Sequence, residues 1–231
     1  MAYPHERHTG LIGGSIKEIV YGATDGIITT FAVISGVVGA SLEVKTILIL
    51  GFANLLADGF SMAASNYLGS QSENKLAESE YARELREIDE IPEMELKEVR
   101  EVLEKKGYNK ENAKELSVRL KSNREFFADF MLRYELGLNV QNGYHFRAAL
   151  FTFGSFVCAG LLPILPFLLV GTSRTFLVSS VATGASLFVV GALRYFVTGK
   201  NWFRSGLEVF SVGGVAAIVA YAVGYVISAI T

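Results

Sequence analysis

The chain has 231 residues, of which 51% are hydrophobic and 19% charged, and its net charge at pH 7 is −2. This balance excludes the dominant basic surface of a nucleic-acid-binding protein, and a single cysteine, Cys158, excludes a disulfide framework or a Cys-based zinc site. The charges are segregated, because residues 73–143 hold 17 acidic and 13 basic side chains, or 30 of the 44 in the chain. One lipid-soluble part therefore encloses one water-soluble part.

Five segments are long and apolar enough to cross a bilayer, which takes about 20 mostly apolar residues. They are residues 19–40, 46–68, 148–170, 175–197 and 207–230. In the third segment, Pro163 and Pro166 predict a kink or a helix end, because neither residue has a backbone donor. The pattern predicts an all-α membrane protein with two transmembrane helices in residues 1–72, an acidic insert in 73–143 and three transmembrane helices in 144–231.

Basic residues flank the predicted spans unevenly, and this bias sets orientation in a membrane. Arg7 and Lys17 precede the first span, and Lys200 and Arg204 lie between the fourth and the fifth. The loops after the first and third spans carry one basic residue each. The bias predicts a multi-pass protein whose N-terminus and insert lie in the cytoplasm. No signal-peptide pattern precedes the first span, which is predicted to act as the insertion signal.

The insert is predicted to be helical throughout. The second span continues without a helix breaker into the acidic segment, so one long helix is expected to run as far as Pro92. A further helix is predicted over residues 93–106, with Gly107 at its end. Asn109 and Asn123 are placed to cap a third and a fourth helix.

Polar side chains interrupt the first two spans. Asp25 lies in the first span, where an ionisable group costs at least about 2.5–3.5 kcal/mol and normally faces a partner or a water-filled path. One face of the second span carries Asn54, Asp58, Ser61, Met62 and Ser65. Oxygen and sulfur atoms on one face are typical of a cation path, and sulfur favours softer first-row metals such as iron(II). The alternative is interhelical hydrogen bonding by Asn54 and Asp58, with Met62 as apolar filling.

Carboxylates recur at helical spacing in the insert. The pairs that share a helix face are Glu87 with Glu90, Glu95 with Glu98, and Met131 with Glu135. Metal-carboxylate helical bundles use such pairs, whereas a solvated acidic face is the alternative interpretation. No nucleophile–base constellation or phosphate loop accompanies them, so the chain is not predicted to be an enzyme.

Three segments resemble the vacuolar iron transporter family. They are YGATDGIITTFAVISGVVGA in the first span, LLADGFSMAASNYL in the second, and DFMLRYELGL before the third. The order of five helices with a soluble insert after the second is also similar. The resemblance implies a homodimer that exports iron(II), and often manganese(II), in exchange for protons along a path between its subunits. It implies the vacuolar membrane in a eukaryote and the plasma membrane in a prokaryote.

The same resemblance implies roles for individual residues. Asp25 matches the family's first-span aspartate, and Met62 its second-span methionine. The residues that match the family's cytoplasmic metal-binding set are Glu87, Glu90, Glu95, Glu98, Met131 and Glu135. Asn54 stands where plant relatives have a glutamate, so Asp58 either replaces that carboxylate or changes metal choice or proton coupling. Iron and manganese are expected as cargo, with no prosthetic group.

The sequence thus predicts an exporter of iron(II) or manganese(II) driven by protons, because carboxylates bind a divalent cation when ionised and release it when protonated. A rival is a membrane-anchored ferritin-like protein that binds and oxidises iron, against which the missing Glu-x-x-His motif counts. A metal-sensing or storage protein is a third alternative, which leaves the aspartates in the spans unexplained.

Overall fold

A computed structural model describes residues 15–140, 145–169, 174–195, 199 and 201–230. Its helices are α1 (Ile16–Gly39), α2 (Val44–Glu90), α3 (Pro92–Lys105), α4 (Lys110–Lys121), α5 (Arg124–Tyr134), α6 (His145–Gly160), α7 (Leu165–Leu169), α8 (Thr175–Leu193) and α9 (Trp202–Ile230). No strand occurs in these ranges, so the predicted all-α class is confirmed for them. Arg7 and Lys200 lie outside the described residues, as do the other residues of 1–14.

Four of these helices, α1, α2, α8 and α9, are long and apolar enough to cross a membrane. The third predicted span is divided into α6 and α7, as its two prolines predicted. Phe167 donates its backbone hydrogen to Ile164, and the freed carbonyl of Pro163 instead accepts a 2.7 Å hydrogen bond from the buried hydroxyl of Ser179. A break is tolerated where a neighbouring helix satisfies the backbone in this way. The count of five spans stays a prediction.

The chain divides into two compact units, Met1–Tyr67 with His145–Thr231 and Leu68–Tyr144. In the first unit, α1 packs against α6, α8 and α9. Glycines make this packing close, because a Cβ on Gly26 would meet the carbonyl oxygen of Phe156, and one on Gly39 that of Tyr221. Small residues let helix backbones approach in this way in membranes.

The second unit begins within α2, which is one continuous helix of 47 residues, as predicted. Pro92 opens α3, and the side chains of Asn109 and Asn123 accept hydrogen bonds from Asn112 and Phe126, so both predicted caps are confirmed. Gly107, with a φ of +99°, follows α3 and supplies the backbone conformation that the turn requires. The apolar core of the unit is formed by Ile88, Leu96, Val99, Leu103, Ala113, Phe127, Ala128 and Met131.

Candidate functional site

Two aspartates in the first unit are positioned by glycines that follow them. Asp25 precedes Gly26 on α1, and Asp58 precedes Gly59 on α2. Both glycines pack on Phe156 of α6, which is 0% exposed. Gly26 contacts its backbone, and a Cβ added to Gly59 would lie 3.0 Å from its ring. The two carboxylates are close enough for their charges to interact. The repeated Asp-Gly sequence therefore places each aspartate next to a glycine that packs on α6, and a cation between two like charges would stabilise them.

The polar stripe of α2 has a packed edge and an open edge. Asn54 lies at the packed edge, where its Nδ2 atom is buried and has no hydrogen-bond partner among the described residues. Met62 packs against the apolar cluster that contains Phe156, which agrees with its interpretation as filling. Ser61 and Ser65 are exposed on the other edge. The stripe thus carries polar groups to a surface that this unit does not itself cover.

Asn66 is a polar residue of α2 that the sequence analysis did not single out. Its Nδ2 atom donates a 3.0 Å hydrogen bond to the hydroxyl of Thr152 on α6, which in turn donates to the carbonyl oxygen of Ala148. Asn66 lies four residues after Met62, so helical spacing alone places it next to the stripe. This bond ties α2 to α6 and supports interhelical hydrogen bonding as one role of amide side chains in this helix.

Three carboxylates gather in the second unit. Glu84 and Glu87 of α2 and Glu95 of α3 each offer an oxygen atom, and these atoms lie within 4.8 Å of one another. Glu84 is 6% exposed and Glu95 is 2% exposed, and the Oε2 atom of each accepts no hydrogen bond from the described part of the chain. Glu87 forms a 3.0 Å salt bridge with Arg83. Burying Glu84 and Glu95 without a counter-charge is unfavourable, so these two carboxyl groups require protons or a cation.

Burial and mutual repulsion change how these carboxyl groups titrate. Burial, assisted by the charges of Glu95 and Glu135, raises the pKa of Glu84 to about 7. Burial also raises the pKa of Glu95 to about 7, together with the charges of Glu98 and Glu87. The pKa of Glu135 is raised, first by burial and then by the charge of Glu98. The cluster therefore still holds protons near neutral pH, and a divalent cation can replace them.

The structure brings together some of the predicted ligands of the insert and not others. Glu87 and Glu95 lie in the cluster, and Glu98 and Glu135 are close enough to act on it electrostatically. Glu90 is exposed and is not a member of the cluster.

Glu84 takes a place in the cluster that the sequence analysis did not assign to it. The signal was present in the sequence, because Ala77, Glu84 and Ile88 recur at helical spacing and form the buried face of α2. A glutamate on that face enters the interior of the unit, whereas Glu90 lies on another side of the helix.

Met131, predicted as a soft ligand, is 0% exposed and belongs to the apolar core of the second unit. It packs in the same cluster as Ile88 and Leu96, which neighbour Glu87 and Glu95 in the sequence. Packing is therefore an established role of Met131, and metal binding by its sulfur stays a prediction.

Comparison with known proteins gives a consistent result. The sequence model of the VIT family matches residues 16–225. The vacuolar iron transporter of Toxoplasma gondii is 32% identical over 230 residues, covering 95% of this chain and 76% of that protein. The vacuolar iron transporter of Centaurea cyanus is 32% identical over 219 residues (94% and 89% covered), and vacuolar iron transporter 1 of Arabidopsis thaliana is 31% identical over 217 residues (93% and 87%). These matches confirm the resemblance found in the three segments, and the chain belongs to the VIT family.

Proposed function

We propose that the protein moves iron(II) out of the cytoplasm across a membrane, takes manganese(II) as a second substrate and returns protons in exchange. The observation that carries this proposal is the buried cluster of Glu84, Glu87 and Glu95, whose oxygen atoms converge within 4.8 Å. The names of the relatives support it, since they are transporters of iron and not enzymes.

In this proposal the insert collects the metal from the cytoplasm. Glu84, Glu87 and Glu95 supply the converging oxygen ligands, and Glu98 and Glu135 add neighbouring negative charge. Metal binding displaces the protons that the cluster retains near neutral pH, so affinity rises as pH rises through about 7. Met131 adds a sulfur atom that favours iron(II) over harder ions, and Glu90 stays on the solvent-exposed face.

Asp25, Asn54, Asp58 and Met62 form the path through the membrane in the same proposal. Two carboxylates on neighbouring helices repel each other unless a cation or a proton is present, and electrostatic interaction between Asp25 and Asp58 supports this pairing. A divalent ion binds while both are ionised and leaves when they take up protons. Metal release and proton uptake are then one event, which is what exchange requires.

The open edge of the path supports a homodimer. Ser61 and Ser65 are exposed, and Asp25 and Asp58 are only partly buried. Ionisable groups facing lipid are costly and normally face protein or a water-filled cavity. A second copy of the chain over this face encloses the stripe. We further infer that the N-terminus and insert lie in the cytoplasm, in a vacuolar membrane of a eukaryote or a plasma membrane of a prokaryote.

Transport assays in proteoliposomes test the function. Iron(II) is offered outside under reducing conditions, and the lumen is acidic in one sample and matched to the outside in the other. We expect faster uptake with the acidic lumen, together with a rise in luminal pH as protons leave. Uptake that ignores the gradient contradicts proton exchange, and no uptake in either sample contradicts transport itself.

The ferritin-like alternative makes a different prediction in the same preparation. An oxidase consumes oxygen when iron(II) is added in detergent, without any membrane gradient. The cluster of Glu84, Glu87 and Glu95 contains no histidine, unlike the Glu-x-x-His sites of di-iron bundles. We therefore expect no oxygen consumption above the rate of free iron, and rapid consumption would favour the oxidase.

A further inference from the structure

The row of carboxylates on α3 ends in a lysine. Glu95, Glu98, Glu101 and Lys105 follow one another at intervals of three or four residues, which places them along one side of the helix. The last three of them line a cavity of about 300 Å³ together with Glu135 and other residues of the second unit. Two lysines, Lys105 and Lys106, therefore share a small space with three carboxylates, two of which, Glu98 and Glu135, neighbour the metal cluster.

The two lysines in this cavity are in different situations. The ammonium group of Lys106 lies over the ring of Tyr134, 5.3 Å from its centroid, where a cation–π interaction holds it. Lys105 makes none of the ion pairs found among the described residues. Its charge instead acts at longer range on Glu135, whose pKa is raised by burial and Glu98 while Lys105 works in the opposite direction. Lys105 is thus the lysine whose positive charge is directed at the acidic groups.

We propose that Lys105 is a built-in counter-charge of the carboxylates beside the cluster, Glu98 and Glu135, and that it limits how tightly the insert holds a divalent ion. The proposal rests on the proposed metal-collecting role of the insert. A fixed positive charge near the site repels an arriving dication and stabilises the metal-free carboxylates, so both effects lower affinity. A collector that passes its ion onward needs such a limit, because carboxylates without a counter-charge would retain the metal, and in the cluster itself Glu87 has such a counter-charge in Arg83, at 3.0 Å.

The test is a calorimetric titration of the full-length protein with manganese(II), in detergent at neutral pH. Lys105→Gln should bind about three- to tenfold more tightly than the parent, as expected for one charge removed at a solvent-accessible distance. Lys105→Arg, which keeps the charge, should match the parent. The matched control is Lys121→Gln, an exposed lysine in the last turn of α4 that does not line the cavity, and it should also match the parent.

Salt separates a charge effect from a change in helix structure. Because mobile ions screen accessible charges, the gap between Lys105→Gln and the parent should shrink in about 0.5 M salt. Equal affinity of Lys105→Gln and parent at low salt overturns this proposal and leaves the collecting role intact. A gap that persists unchanged at high salt also overturns it, since the cause would then be structural. Absence of binding in the parent contradicts the proposed metal site itself.

Discussion

The two units of the molecule hold their carboxylates in opposite ways. In the second unit, Glu84 and Glu95 are enclosed by the unit's own core, and its surface carries salt bridges one helical turn apart, such as Arg133 with Asp129 at 2.9 Å. In the first unit the outer surface is apolar, and only 11% of the most apolar stretch of α9 is buried. Asp25 and Asp58 lie at an edge of this unit that is partly open. The second unit, which contains the insert, is polar on its surface and acidic inside. The first unit, called the membrane unit below, has an apolar surface instead.

The comparison indicates that the carboxylate cluster is complete within one chain and that the site of the two aspartates is not. The insert brings three carboxylates together by itself, so in the proposed function it needs no second chain to bind a metal. In the first unit, the glycines that follow the two aspartates share one packing partner, Phe156, but the stripe beside them reaches the surface. A protein needs both kinds of site to take an ion from water and carry it through lipid, and each should fail separately when it is altered.

The largest expected effect is the loss of transport without any loss of metal binding by the insert. Asp25→Asn or Asp58→Asn should abolish iron(II) transport in proteoliposomes, while manganese(II) binding by the insert in detergent stays at the parent's level. Each variant removes one anionic ligand of the ion, and a loss of about 3 kcal/mol in its binding corresponds to roughly 100-fold. The measurements are the initial flux and a calorimetric titration on the same preparation.

Asp129→Asn is the control for these variants. It removes the same kind of charge from an exposed pair with Arg133 on α5, and surface pairs contribute about 0–1 kcal/mol. Its flux should equal the parent's. Transport at normal rates in both Asp25→Asn and Asp58→Asn would remove these residues from the path.

Much of this contrast could be predicted from the sequence, because helices have strong local signals. Pro92, Asn109, Asn123 and Gly107 fixed the helices of the insert, and the two prolines near the end of α6 predicted its break. The identity of the cluster could not be read from i, i+3 spacing alone, since Glu84, Glu87 and Glu90 all satisfy it. The apolar face of α2 marked by Ala77 and Ile88 selects Glu84, and the spacing of carboxylate pairs does not include that face.

The second prediction concerns the stability of the membrane unit, which is lowered by a change in packing alone. Gly26→Ala places a Cβ against the carbonyl oxygen of Phe156, and backbone cannot move aside easily. Overpacking of this kind typically costs about 1–3 kcal/mol. The apparent melting temperature of the detergent-solubilised protein should fall, while hydrogen exchange in α3 and α5 stays unchanged.

Gly154→Ala is the matched control on α6. A Cβ at Gly154 would meet nothing within 4 Å, and alanine in a helix is more favourable than glycine by about 0.8–1.0 kcal/mol. Its melting temperature should equal or exceed the parent's. If Gly26→Ala and Gly154→Ala melt alike, the close approach of α1 and α6 does not position Asp25.

The smallest expected effect is confined to the insert and depends on pH. Burial raises the pKa of Glu84 and Glu95 from 4.5 to about 7, so the folded metal-free insert binds more protons than the unfolded chain between these values. Its stability should therefore decrease as pH rises from about 4.5 to about 7 and become constant above that range.

The measurement is hydrogen exchange of the amides of α3, corrected for the intrinsic effect of pH. Protection should fall across this window, should recover on addition of manganese(II) at about pH 8 because the ion binds the folded state, and should depend less on pH in Glu95→Gln. The control Glu115→Gln alters an exposed pair with Arg119 and should follow the parent. Protection that rises with pH would mean that these carboxyl groups are stabilised as anions in the metal-free protein, and the contrast between an enclosed acidic cluster and an open membrane pair would then be wrong.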